Sequence, residues 1–316
     1  LNLMDDNPTV TANIEDDFGT SSSNTSWLLY KHTADPFGNP VWVDAEQLMP
    51  GESYWLYQMV QNNMQFSVGS GKTEDITGYS LLLNSGWNLI SSPFTFPIPS
   101  FSLDQNKFYG PITYGNEGEG WSGVESELIP WAGYAIYNKF SDSDTAWIQP
   151  ISGGGMARES TISEDDWMIK LSARGEVYTD VANYIGRAKG ASDELDYRDN
   201  PEPPYMEKYV SLTMLRPDWS SGVATFTSDI RSLEEFNGVW DIDLLVKGES
   251  NPISITRELM GELPSDMVVV ILNLVERQTT NLLSDDVEIT VSNYPSGYPY
   301  HLKVIAGTED FVNLTI

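Results

Sequence analysis

Apolar and polar residues alternate along most of the chain, and no long stretch keeps the 3.6-residue period of an amphipathic helix. Short segments rich in β-branched and aromatic residues are separated by turn clusters such as "DPFGNP", "GNEGEG" and "FSDSD". This pattern predicts an all-β chain. In the first half the predicted strands are "VWVDAEQL", "SYWLYQMV", "YSLLLNSGWNLISS", "GYAIYNKF" and "AWIQPI".

The second half of the chain repeats the pattern, with roughly ten to fifteen residues between strands, a spacing that favours antiparallel sandwiches over βαβ units. Short helical turns are expected at "SDIRSLEEF" and "ITRELMGEL". The predicted strands are "DWMIKLSA", "KYVSLTML", "VATFTS", "VWDIDLLVKG", "SDMVVVILNL", "DVEITVS" and "YHLKVIAG".

A polar, Gly-rich stretch, "SGGGMARESTISEDD", follows Ile151 and is typical of a link between domains. The length of 316 residues also exceeds that of one ordinary small core. We therefore predict two consecutive antiparallel β-sandwich-like domains, residues 1–155 and 156–316, the second of an immunoglobulin or jelly-roll type.

The first predicted domain contains an internal similarity. "LMPGESYWLY" at residues 48–57 has a near-copy, "LIPWAGYAIY", at residues 128–137, and a Trp-led strand precedes each copy. The pattern predicts a diverged duplication, about residues 26–60 and 86–140, in which a Pro turn leads into a Tyr-containing strand. The residues expected in the cores of the two domains are Trp27, Tyr54, Leu56, Trp87, Leu89, Tyr134, Ile136, Trp167, Leu171, Val210, Leu212, Val269 and Ile271.

Charge narrows the range of partners. Asp and Glu number 46 against 17 Lys and Arg, a formal net charge of -29, which repels nucleic acid and anionic lipid. The chain has no cysteine, and no stretch approaches the roughly 20 apolar residues of a membrane helix. It begins with Leu rather than Met and shows no signal-peptide pattern, so we expect a piece of a longer protein.

Several of these motifs occur together in one known group of proteins. "SGWNLISSPF" and "LIPWAGYAIYN", with the second half of the chain, resemble the non-catalytic β modules near the C-terminus of large proteins that the type IX pathway secretes in Bacteroidetes, Chlorobi and related bacteria. Arg257 and Val291 depart from the aromatics of that group, and no sorting module follows "FVNLTI". The matching segments of the second half are Trp167 to Leu171, Asp196 to Pro204, Pro217 to Trp219, Asp229 to Arg231, Leu263 to Leu272 and His301 to Gly307.

The resemblance implies a location and a type of function. A module of this group belongs to a parent protein exported to the extracellular cell surface, and it serves structure or adhesion rather than catalysis. Expected partners are polysaccharide, neighbouring domains of surface proteins or further copies of the module, with neither nucleic acid nor membrane insertion.

The acidic run "ASDELDYRDNPEPP" is the best candidate for a metal site. Ca²⁺ takes six to eight hard oxygen ligands, and a Pro-bounded loop can wrap several carboxylates around it. The spacing is not that of an EF-hand, and a solvated acidic turn explains the run equally well. The predicted calcium ligands are Asp193, Asp196, Asp199 and Glu202.

Aromatic residues are the other candidate chemistry, with 10 Trp, 16 Tyr and 11 Phe. Rings exposed on a β-sandwich can stack against the C–H faces of a sugar, although most aromatics in such folds are buried in the core. Four tryptophans that lie in or beside loops containing Gly, Asn and Glu, or in the repeated decapeptide, are the predicted ligand contacts: Trp42, Trp55, Trp121 and Trp131.

No nucleophile or metalloenzyme motif is present, and nothing marks a catalytic residue. The sequence therefore favours a structural or adhesive module of a secreted surface protein. A carbohydrate-binding module of a polysaccharide-degrading protein is the first alternative. A glycoside hydrolase with an unmarked pair of carboxylates is the second.

Overall fold

The computed structural model describes residues 9–15, 18–19, 27–34, 40–58, 77–100, 103–104, 106–115, 120–150, 166–196, 198–205, 208–219 and 224–316. Strands predominate in these residues, so the predicted all-β, sandwich-type fold is confirmed. The chain divides into two compact units, Leu1–Thr113 with Gly123–Arg158, and Tyr114–Ser122 with Glu159–Ile316. The predicted boundary at residues 155 and 156 lies outside the described residues.

Up to residue 150 the described chain consists of short strands after one π-helical turn, Thr11–Glu15. They form sheets in the orders β2-β1-β3, β5-β10-β7-β8, β11-β4 and β6-β9. The strands are β1 (Trp27–Ala34), β2 (Pro40–Asp44), β3 (Trp55–Gln58), β4 (Tyr79–Leu83), β5 (Gly86–Ser91), β6 (Ile98–Pro99), β7 (Phe108–Tyr114), β8 (Trp121–Val124), β9 (Glu127–Leu128), β10 (Gly133–Asn138) and β11 (Asp144–Ile148).

Alternation along these strands decides which side chains are buried, because successive residues point to opposite faces. One apolar cluster buries alternate residues of three strands. They are Leu81 and Leu83 of β4, Ala146 and Ile148 of β11, and Tyr134 and Ile136 of β10. A second cluster gathers Trp27 and Leu29 of β1 with Leu48.

The two copies of the decapeptide have the same local geometry. The amide N–H of Met49 donates to the Tyr54 hydroxyl at 2.7 Å, and that of Ile129 donates to the Tyr134 hydroxyl at 2.7 Å. Each turn also closes with a hydrogen bond between residues three apart, of 3.2 Å in the first copy and 3.3 Å in the second. The tyrosine of each copy therefore anchors the turn that precedes its strand.

The third residue of both turns has a left-handed backbone conformation. Gly51 occupies it in the first copy with φ +75°, whereas Trp131 occupies it in the second with φ 71°. An L residue with a bulky side chain is strained there, because Cβ approaches the following carbonyl oxygen. Trp131 is therefore held in a conformation that its own side chain disfavours.

The second unit is a sandwich of a five-stranded sheet, β16-β13-β12-β18-β21, and a six-stranded sheet, β15-β14-β17-β22-β19-β20. Its neighbouring strands are antiparallel except β13 and β16, which are parallel. The strands are β12 (Trp167–Arg174), β13 (Thr179–Ala188), β14 (Tyr209–Leu215), β15 (Thr225–Phe226), β16 (Ser228–Ser232), β17 (Gly238–Lys247), β18 (Ile253–Gly261), β19 (Val268–Asn273), β20 (Gln278–Asn281), β21 (Glu288–Val291) and β22 (Tyr300–Gly307).

Inward residues of both sheets form one continuous core, in which Trp167 and Trp240 lie edge to face at 6.1 Å between ring centroids. The strand β19 is apolar on both sides. Its inward residues join this core, while Val270 and Leu272 are covered by the terminal helix α1 (Glu309–Thr315) through Val312. The Thr308 side chain caps this helix by accepting a hydrogen bond from the Phe311 amide.

Two sequence predictions need correction. The segments expected to be helical turns are strands β16 and β18, because pairing with β13 and β12 outweighs their local helical propensity. Most of the predicted core residues are buried, but Tyr54, Leu56, Trp87 and Leu89 are only half-buried. Among the described residues, no helix is long and apolar enough to cross a membrane.

The strained turn leads to a stability prediction. Replacing Trp131 by Gly relieves the left-handed strain, so we expect the free energy of unfolding to rise by about 1 kcal/mol in urea denaturation. The matched change, Gly51→Ala, is expected to destabilise, because the added Cβ would lie 2.7 Å from the Tyr79 ring. Equal destabilisation by both variants would show that packing of the Trp131 ring, rather than its backbone, dominates at this turn.

Candidate functional site

The end of the acidic segment, residues 200–202, pairs with residues 225–227, at the junction of strands β15 and β16. The Thr227 amide donates to the Asn200 carbonyl at 2.8 Å, and the Glu202 amide donates to the Thr225 carbonyl at 2.9 Å. An isolated bridge between Pro201 and Phe226 lies between these bonds. The segment is thus part of the folded second unit.

Its carboxylates bond mainly to backbone N–H groups. The fully buried Asp199 accepts from the Ile230 amide at 3.0 Å and from the Asp196 amide at 2.9 Å. Asp196 in turn accepts from the amides of Ser192 at 2.8 Å and Arg198 at 2.7 Å. These bonds fix both carboxylates to the backbone of the second unit.

Asp193, at the start of the segment, accepts hydrogen bonds from backbone and side-chain donors of other parts of the second unit. Its carboxylate accepts from the Ser232 amide at 3.0 Å, and its carbonyl accepts from Arg216 at 2.9 Å and from the Trp219 indole at 3.2 Å. Arg216 also pairs with the buried Asp229 at 3.2 Å. The segment is therefore tied to the sandwich by cationic as well as backbone donors.

A second arginine completes this network. Arg231 pairs with Asp229 at 2.8 Å and stacks over the Trp240 ring, 4.5 Å from its centroid. The Trp240 indole donates to the Asp229 carbonyl at 3.1 Å. Because Asp229 is buried and has two arginine partners, its charge is compensated inside the fold.

Glu202 lies apart from the other predicted calcium ligands. Its carboxylate accepts from the Ser211 hydroxyl of β14 at 2.7 Å. In the part of the chain that the structure describes, no group of three or more His, Asp or Glu side chains could hold a metal ion. The structure thus does not bring Asp193, Asp196, Asp199 and Glu202 together around one point.

Three buried carboxyl groups in and beside the acidic segment have raised pKa values. Desolvation by burial raises the pKa of Asp199 to about 8, against the lowering effect of its two backbone hydrogen bonds. Burial likewise raises the pKa of Asp180 to about 6. Burial, with the neighbouring charge of Asp180, raises the pKa of Glu202 well above its ordinary value. Sequence analysis missed Asp180, whose position within a strand, next to Val181 and Ala182, is its only signal.

Two predicted ligand contacts, Trp42 and Trp55, do meet. Strand register places Tyr30, His32, Trp42, Trp55 and Tyr57 on one face of the β1–β2–β3 sheet, which we call the aromatic face. The rings of Trp42 and Trp55 lie edge to face with centroids 6.3 Å apart, and the His32 ring lies 5.1 Å from that of Trp42. Both tryptophans are half-buried.

The other two predicted contacts are separate from this face in the chain and differ in exposure. Trp121 is half-buried and lies edge to face with Tyr114 at 5.3 Å. Trp131, in the strained turn, is 65% exposed, and Ile129 beside it is also exposed. Of the four, Trp131 presents most of its ring to solvent.

Trp147 is an exposed aromatic residue that the sequence analysis missed. It is 51% exposed on the outer face of the β4–β11 sheet, and its ring lies so close to Gly78 that any larger residue there would clash with it. The ring therefore rests against the glycine backbone, which holds it in place. Alternation in "DTAWI" could have identified it, since Ala146 and Ile148 are buried.

His32 is the one histidine of the first unit and lies in an apolar environment. It is 8% exposed, and neither ring nitrogen has a hydrogen-bond partner of normal geometry among the described residues. Desolvation by burial lowers its pKa, an effect that the nearby Trp87 backbone offsets only in part. A neutral histidine buried in this way costs free energy.

Comparison with protein-family models, curated proteins and solved structures finds no match for this chain. Its candidate sites are therefore defined by their own geometry.

The buried acids predict an unusual dependence of stability on pH. A raised pKa in the folded state means that the folded chain binds more protons than the unfolded chain at intermediate pH. The contribution of Asp199 is therefore complete below pH 4 and is lost as the pH rises towards 8. We expect the urea midpoint to fall between pH 6 and pH 8.5, and Asp199→Asn to reduce that slope.

Asp218→Asn is the matched control, because hydrogen bonding to the Arg216 guanidinium lowers the pKa of this exposed carboxyl. Its contribution changes only in acid, so the slope between pH 6 and pH 8.5 should be that of the unchanged chain. A slope that Asp199→Asn leaves unaltered would contradict the assignment.

His32 predicts the opposite behaviour in the first unit. With its folded pKa lowered, its contribution is present above the unfolded value of about 6.5 and is lost as the pH falls. His32→Phe removes two buried polar atoms, so we expect about 1 kcal/mol of stabilisation at pH 7 and a smaller loss between pH 6.5 and 5 in urea denaturation. His301→Gln, in the second unit, should leave the unfolding of the first unit unchanged; destabilisation by His32→Phe would show that the imidazole has a partner.

Proposed function

We propose that the chain is a non-catalytic structural or adhesive β module of a larger secreted protein of the bacterial cell surface. The acidic segment carries this proposal. Its carboxylates accept hydrogen bonds from the amides of Ile230 and Ser232, and the Arg216 guanidinium donates to its first carbonyl, that of Asp193. The acidic residues that formed the best candidate metal site in the sequence thus hold the sandwich together.

The resemblance of the motifs to type IX secretion modules supports the location. In that group the function of such modules is to extend, space or attach the parent protein. The chain's strong negative charge suits this setting, because an acidic surface resists non-specific adsorption to anionic polymers.

Carbohydrate binding is the second candidate, and the exposed tryptophans favour it. Trp131 and Trp147 lie in the first unit with large parts of their rings in solvent, one in a strained turn and the other against Gly78. Strained residues and fixed aromatic rings are often associated with ligand contacts. A flat, held indole suits the C–H face of a pyranose.

The hydrolase alternative finds no support in the geometry of the carboxyl groups. A glycosidase needs two carboxyls on either side of a bound sugar, with room for that sugar between them. The interacting pair in this structure, Asp180 and Glu202, is 7% and 9% exposed. Groups buried to this degree are out of reach of a polysaccharide.

One binding experiment tests these functions together. The purified chain is incubated with a panel of soluble and insoluble glycans, and both the bound fraction and newly released reducing ends are measured. The non-catalytic proposal predicts no release from any glycan. Release that is abolished in Asp180→Asn would overturn it.

Retention separates the two non-catalytic functions. Specific retention on one glycan that drops at least tenfold in Trp131→Ala or Trp147→Ala would support carbohydrate binding. Leu314→Ser, which changes an exposed apolar residue of helix α1 in the second unit, is the matched control and should retain binding. Absence of retention across the panel would favour the structural or adhesive function.

A further inference from the structure

A β-bulge in strand β13 brings two polar side chains to the inner side of the second unit. Leu171 of β12 pairs with Asn183, but Ala173 pairs with Asp180, so Val181 and Ala182 together oppose one residue. Without the bulge, residues three apart would point to opposite faces. With it, Asp180 and Asn183 both lie on the side of the buried Leu171 and Ala173.

Asp180 and Glu202 meet at the edge of strand β14. Asp180 accepts from the Leu212 amide at 2.7 Å, and Glu202 accepts from the hydroxyl of the preceding residue, Ser211, also at 2.7 Å. Bonds to adjacent residues of one strand place the two carboxyl groups side by side. The groups that shift the pKa of Asp180 include no lysine, arginine or histidine.

Asn183 provides an independent sign of a missing partner. It is 0% exposed, and its side-chain oxygen has no hydrogen-bond donor among the described residues. Its amide nitrogen donates to the Asp180 carboxyl, whose pKa this bond lowers, and makes a long bond of 3.4 Å to the Leu171 carbonyl. Turning the amide by 180° exchanges both bonds for an amide oxygen directed at the carboxyl pair, which a cation between them would favour.

The resulting set has the chemistry of a hard-cation site. Two carboxylates, each able to bind through both oxygens, one amide oxygen and one hydroxyl offer up to six of the six to eight oxygen ligands that Ca²⁺ takes, and its flexible coordination tolerates a mixed set more readily than Mg²⁺ does. A divalent cation would also balance two negative charges that burial otherwise makes costly.

We propose that Asp180, Asn183, Glu202 and Ser211 form a buried calcium site that fastens the acidic segment to strands β13 and β14. The site shares only Glu202 with the ligand set predicted from the acidic run. It goes beyond the proposed function, since a structural module needs no cation and a failure here would leave that function untouched.

Calcium binding is tested on the whole chain. The chain is stripped with a chelator and dialysed into 150 mM NaCl, and Tm is followed as CaCl₂ is added. The calcium bound per chain is measured by mass spectrometry after CaCl₂ has been added back and the excess removed. We expect one ion per chain and a rise in Tm of about 5 °C or more at saturating calcium. MgCl₂ at the same concentration should give a much smaller rise.

Variants separate this site from the acidic surface. Asp180→Asn and Glu202→Gln each remove one carboxylate but keep the shape, and they are expected to abolish the calcium-dependent rise in Tm. Asp193→Asn, which neutralises an exposed acid of the same segment, should retain it. If either buried variant fails to fold, Ser211→Ala removes one ligand without changing charge and should weaken calcium binding at least tenfold.

Terbium luminescence provides a second readout in the unchanged chain. Tyr205 shares its environment with Glu202 and Ser211, both of which affect its pKa, so it should sensitise a bound Tb³⁺ that calcium displaces. Overturning results are the absence of calcium bound on re-addition and of a calcium-dependent Tm, or an equal response in the unchanged chain, Asp180→Asn and Glu202→Gln. Either would mean that the two carboxyls share a proton instead.

Discussion

Backbone N–H groups at strand edges have to be hydrogen-bonded wherever a sandwich buries them, because an unpaired one costs about 1–3 kcal/mol. In the second unit carboxylates meet this requirement. The amides of Leu212, Ile230 and Ser232 donate to Asp180, Asp199 and Asp193, respectively. Because carboxylates accept these hydrogen bonds, the acidic segment packs against the strands of the sandwich. Arginines pair with the buried Asp229, and burial raises the pKa of Asp180 and Asp199.

The negative charge of a buried carboxylate has to be balanced, and the second unit achieves this in two ways. Around Asp229 it supplies two arginines that also stack on tryptophan rings. Among the described residues, the groups that shift the pKa of Asp180 and of Glu202 include no lysine, arginine or histidine, so a proton or a bound cation has to balance the pair. Some of the acidic residues thus form hydrogen bonds and ion pairs inside the fold, and only the others lie on the surface.

The first unit exposes tryptophan rings to solvent. Its repeated turn is anchored by a tyrosine hydroxyl in both copies, yet one copy has glycine and the other tryptophan at the left-handed position. The fold tolerates the strain of Trp131 and leaves its ring exposed, as it does that of Trp147.

The sequence by itself determined the all-β fold and much of the core, because alternation with period two is a local property of each strand. It also marked the Pro–Tyr turns, whose hydrogen bonds join residues only five apart. Trp147 was within reach of the same alternation. These features need no knowledge of which strands become neighbours.

Only the tertiary structure decided where the acids and aromatic rings end up. Glu202 separates from Asp199 because it reaches Ser211, nine residues further along the chain. Asp180 meets Glu202 because a bulge in β13 turns it inward. Trp42 meets Trp55 because both β2 and β3 pair with β1. Each of these contacts joins residues that are distant in sequence, and strand pairing and burial bring them together, so no local pattern could encode them.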